Sequence, residues 1–165
     1  NEQNYWALVG VDGGGARSGL MSEDGAVEAG LSGFSIEPTL RIAGEGENVL
    51  NWANVEMRHS LREGYLPMPS VFWQHPLADL RVEAAADGPP KAPRLLVRYT
   101  VTAPPGQALK GQLVLGLRPW QVNPPQQFLN TPVGSLTTRP PVFLAMPKFV
   151  APQLAVEQVW NCPGA

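Results

Sequence analysis

The chain has a single cysteine, Cys162, among its 165 residues. No intrachain disulfide can form. A thiol within a C-terminal Asn-Cys-Pro-Gly-Ala tail also makes a poor nucleophile, because chain ends fray. Histidine is almost as scarce, with His59 and His75 alone. Two separated histidines and one terminal cysteine supply no zinc set of known spacing, so no metal or other cofactor is expected. Long apolar runs are missing: none approaches the ~18 residues that cross a bilayer, so no membrane insertion is expected. There is no basic excess, since 12 Lys+Arg face 14 Asp+Glu and the net charge is -2. Nucleic acid therefore has no electrostatic footprint to bind. Charged residues of both signs make up only 16%, against roughly 25% in average domains. Sparse charge suits a domain that rests against another. The chain opens at Asn1 with neither Met nor a charged-then-apolar leader, and a fragment of a longer multidomain protein is the expectation.

Catalytic motifs are missing as well. Asp12-Gly-Gly-Gly15 follows an apolar run, but it lacks the Gly-Lys-Ser/Thr ending of a phosphate loop and the register of a dinucleotide site. It is read as a turn. No G-x-S-x-G nucleophile elbow occurs. The carboxylates Glu37, Glu56, Glu63, Asp79 and Glu83 are scattered. A glycosidase needs two facing across a cleft, and sequence spacing alone does not set that pairing. Solvated surface carboxylates are the plainer reading, and no catalytic residue is assigned.

What the chain does have is turn residues spread among short apolar runs. Gly 17 and Pro 18 together make about a fifth of the residues, too dispersed for a disordered chain. Tyr5–Val11 predicts a buried strand. Gly19–Val27 predicts a hairpin around a two-residue Asp24-Gly25 turn. Phe34–Ile36 and Leu40–Ile42 alternate in strand fashion about Pro38, which suggests an edge or a break. Val49–Leu61 is ambiguous, but period two places Val55, Met57, His59 and Leu61 opposite Glu56, Arg58 and Ser60, so a strand is favoured. Leu66-Pro-Met-Pro69 reads as irregular.

Val71–His75, Leu80–Ala86, Leu95–Thr102 and Leu109–Leu117 all predict strands, the last three as a meander. Pro140–Ala145 and Leu154–Trp160 read as final strands, the second with a short helix as its alternative. About ten strand-like segments without an amphipathic helix argue for one all-β domain over residues 1–165. Its expected form is an antiparallel β-sandwich, super-sandwich-like, with little or no helix.

The segment Leu113–Asn130 is the most distinctive. A buried strand leads into Arg118-Pro-Trp-Gln-Val-Asn-Pro-Pro-Gln-Gln-Phe-Leu-Asn130. Aromatic faces stack on sugar rings, and amides match hydroxyls as both donors and acceptors. Trp73, His75, Trp120, Gln121, Asn123, Phe128 and Asn130 are the candidate ligand-binding residues. The alternative is that Trp120 and Phe128 plug an open sandwich end while the amides satisfy loop backbone.

Tyr65–Val71, Leu115–Asn130, Trp52–Val55 and Phe34–Pro38 together resemble part of large bacterial proteins carrying discoidin (coagulation factor 5/8 type C) modules. There a β-sandwich precedes a helical toroid similar to glycoside hydrolases. The resemblance covers about Tyr5 to Thr131 and fades in the Pro-rich tail. It implies a carbohydrate-linked, non-catalytic domain that supports a neighbouring catalytic domain of the same polypeptide and contacts glycan. A secreted or periplasmic setting fits that reading. Two rivals stand beside it: a structural or protein-interaction sandwich that binds no sugar, and a small stand-alone glycosidase.

Overall fold

The computed structural model describes residues 6–15, 17–29, 34–44, 48–118, 142–145, 149–151 and 153–161. Past residue 117 it describes backbone, with the side chains of Val156 and Glu157. Thirteen strands are described and no helix. They run β1 Trp6–Val9, β2 Gly19–Ser22, β3 Val27–Glu28, β4 Ser35–Ile42, β5 Asn48–Leu50, β6 Glu56–Arg62 and β7 Leu66–Gln74. Then follow β8 Asp79–Asp87, β9 Arg94–Thr102, β10 Leu109–Arg118, β11 Val142–Ala145, β12 Phe149–Ala151 and β13 Gln153–Asn161. All pairings are antiparallel. The first sheet has the order β1-β2-β3-β4-β10-β11, with β5 on β4 and β12 on β10, and the second has the order β13-β9-β8-β7-β6. The fold is an all-β antiparallel sandwich.

Period-two alternation builds the core. Ile36, Leu40, Leu113 and Leu115 of the first sheet are buried, as are Val71, Trp73, Leu80, Val82, Tyr99 and Val101 of the second. They belong to one apolar cluster. Burying each Leu, Ile or Val side chain contributes about 1.5–3 kcal/mol. The intervening residues of the second sheet, such as Arg81, Glu83 and Arg98, face outward and pair as Arg81–Glu83 and Arg98–Glu157.

Several local expectations need correction. Among the described residues β1 is an edge strand, paired only with β2, and Leu8 is 65% exposed while Val9 is buried. The Gly19–Val27 hairpin forms, but its loop has three residues. Gly25 N–H donates to Ser22 O at 3.2 Å, Ser22 N–H donates to Ala26 O at 2.9 Å, and Gly25 takes φ 86°. This is a type I turn closed by a left-handed glycine.

Pro38 neither ends nor borders the sheet: it sits mid-strand, opposite Leu115 of β10. On its other edge, β3 covers only Ser35 and Ile36, and β5 covers only Leu40 to Ile42. The missing amide thus faces a gap between two short strands, where it costs no ladder bond. Leu66–Pro69 is likewise strand, part of β7. The β7–β8 register stops at Ser70↔Glu83, and the β6–β7 register jumps from Leu61↔Pro69 to Arg62↔Leu66. Both irregularities fall where Pro67 and Pro69 have no N–H to give.

The expected meander of three strands also changes partners. β7, β8 and β9 form one, but β10 does not return beside β9. The turn is there, with Gln107 N–H donating to Pro104 O at 3.0 Å, and it hands the chain to the other sheet. β13 takes the whole free edge of β9, from Thr102↔Gln153 to Arg94↔Asn161. That also settles Leu154–Trp160 as strand.

Candidate functional site

Two connections meet at the end of the second sheet where β6 begins and β7 ends. The first, Asn51–Asn54, is held by its own amides. Ala53 N–H donates to Asn51 Oδ1 at 2.9 Å, Asn51 N–H to Asn54 Oδ1 at 2.9 Å, and Asn54 Nδ2 to Val49 O at 2.8 Å. Asparagine side chains that bond nearby backbone fix such turns without a sheet partner. Trp52 rides on this turn at 48% exposure, and its indole N–H donates to Glu37 Oε1 at 2.9 Å. The ring is therefore oriented although it faces solvent.

The second connection is the β7–β8 turn, His75-Pro-Leu-Ala78. Ala78 N–H donates to His75 O at 3.1 Å, with Pro76 at the position where its fixed φ suits a turn. His75 is tied twice more: its N–H reaches Asp79 Oδ1 at 3.4 Å, and its Nδ1 accepts from Leu77 N–H at 3.2 Å. An accepting Nδ1 leaves the proton of the neutral ring on Nε2.

Between these turns lies an open pocket of about 780 Å³, lined by Asn54, Glu56, Arg58, Gln74, His75 and Asp79, with Ala53, Val55 and Pro76 as its apolar wall. The register explains the cluster. Glu56 stands opposite Gln74 across the β6–β7 ladder, with Arg58 two residues along, so all three share the outward face. Among the described residues, the side chains of Glu56 and Arg58 have no ion-pair or hydrogen-bond partner. Gln74 Oε1 is buried and likewise lacks a hydrogen-bond partner. A buried, unsatisfied polar atom costs about 1–3 kcal/mol, so Gln74 carries a local cost beneath the pocket that it lines.

Of the residues singled out from sequence, His75 lines this pocket. Trp73 is 1% exposed, and its indole N–H donates to Asp24 O at 3.0 Å. Its ring is a core element with no face open for stacking. Trp120, Gln121, Asn123, Phe128 and Asn130 lie outside the described residues. Asn54, Glu56, Arg58, Gln74 and Asp79 were not singled out as binding residues. Their convergence depends on the β6–β7 register, which one segment read alone does not reveal. Among the described residues, no three His, Cys, Asp or Glu side chains cluster to hold a metal, and no helix is long and apolar enough to cross a membrane.

A second hollow, about 420 Å³, lies between the two sheets' edges and is lined mainly by apolar groups, including Trp6, Met21, Leu61, Pro69 and Val71. His59 Nε2 meets Glu23 O there at 2.7 Å. No family model, no curated protein and no solved structure matches this chain.

Proposed function

We propose that this chain is a non-catalytic β-sandwich module of a larger carbohydrate-active protein, which supports a neighbouring catalytic domain and contacts glycan through the pocket at the β6 and β7 ends. One observation carries the glycan half: a solvent-open pocket in which the side chains of Glu56 and Arg58, unpartnered among the described residues, stand beside Asn54, His75 and Asp79, which their own turns hold in place. Amide, carboxylate, guanidinium and imidazole groups are what sugar hydroxyls meet well. Rigid turns at strand ends are where a scaffold places such contacts. The non-catalytic half rests on the sequence, which has no motif that fixes an acid and a base.

The test is binding and turnover by the purified chain. His75→Ala should weaken glycan retention and leave the melting temperature nearly unchanged, since the ring lies at a turn surface. Robust hydrolysis of common glycosides, lost on changing a single Glu or Asp, overturns the non-catalytic reading. A second reading, an interaction sandwich that binds no sugar, is favoured by the apolar hollow between the sheet edges. It predicts that Leu61→Glu disrupts packing on a neighbouring domain while glycan retention is nil from the start.

A further inference from the structure

Resting on the glycan reading above, we infer that the pocket selects a neutral, hydroxyl-rich saccharide and rejects uronate and sulfated glycans. The selection follows from what the lining still needs. Its acceptors are the carboxylates of Glu56 and Asp79, and its donors are the Arg58 guanidinium and His75 Nε2–H. Two carboxylates face one guanidinium, so the lining carries surplus negative charge.

A carboxylate or sulfate brings acceptors only. It cannot donate to Glu56 or Asp79, and both repel it. A sugar hydroxyl donates and accepts at once, so one group can donate to Glu56 while accepting from Arg58. The apolar wall of Ala53, Val55 and Pro76 offers contact for the C–H face of a ring.

The experiment is affinity electrophoresis of the full chain against hydroxyethylcellulose, xylan and galactomannan, with polygalacturonate and heparin as charged counterparts. The expected result is retention by at least one neutral polymer, insensitive to salt, and none by the charged pair. Asp79→Asn and Glu56→Gln should each weaken it by about tenfold or more. Arg94→Gln, at the opposite end of the second sheet, should not. Retention by a charged polymer, lost with Arg58→Gln and on raising salt, overturns the neutral selection but keeps the glycan reading. Neutral binding that ignores both pocket variants overturns the assignment to this pocket. Retention by none of these polymers, from a chain with a β-type circular dichroism spectrum, overturns the inference and the glycan reading together.

Discussion

Trp73 and Trp52 carry the same indole into opposite surroundings. Trp73 fills the core, so Trp73→Ala should cost about 3–5 kcal/mol in urea denaturation. Trp52 is half exposed, and Trp52→Ala should cost about 1 kcal/mol or less, the scale of its single bond to Glu37. Their difference was partly legible. Val71 and Trp73 share a strand face, so a buried Val71 implies a buried Trp73, but nothing local says which face is inside. His75 was easier, because Pro76 marks the turn that carries it. Tyr99 gives a sharper residue test. Its hydroxyl is buried without a partner among the described residues, and burial pushes its pKa well above the ordinary phenol value. Tyr99→Phe should therefore be neutral or stabilising by about 1 kcal/mol. The pH dependence has a definite sign. The unfolded chain loses this proton near pH ~10 and the folded chain does not, so stability is full below that pH and falls above it. Denaturation midpoints above pH ~10 should drop for the native chain and less for Tyr99→Phe.

The hairpin joining β6 to β7 turns at Glu63-Gly64, with φ 54° and 80° and Tyr65 N–H donating to Arg62 O at 3.3 Å. Positive φ at both central residues matches the right-handed twist of the flanking strands, yet Glu resists that conformation. Glu63→Asn should raise stability by about 0.5–1 kcal/mol, read as a shift in melting temperature. This turn has no Asn-Gly signature, which is why β6 and Leu66–Pro69 were not legible as one hairpin. Pro38 shows the same limit. A proline's effect depends on which neighbour its nitrogen faces, and that neighbour is remote in sequence. Gly111 marks where elements crowd: a Cβ there would lie 2.6 Å from Arg41 O. Gly111→Ala should cost about 1–3 kcal/mol as β4 and β10 are forced apart. Among the described residues β6 itself is a free edge. Its residues Glu56, Arg58 and Arg62 and the register jump beside Leu61 guard it against pairing with another chain.

At the scale of the molecule, alternation and turn spacing made the all-β sandwich legible, while the allocation of strands to sheets was not. Nothing in the Pro104–Gly106 turn distinguishes a hairpin from a crossing between sheets. A far-UV spectrum with a β minimum and no helical double minimum checks the fold as a whole. The crossing has a consequence for synthesis. β4 emerges early, and its long-edge partner β10 follows only after β5 through β9 have been made. At roughly 5–20 residues per second, the ribosome leaves that edge bare for several seconds. A nascent chain halted before β10 should be captured by chaperones or aggregate, whereas one released with β10 in reach of β4 should not.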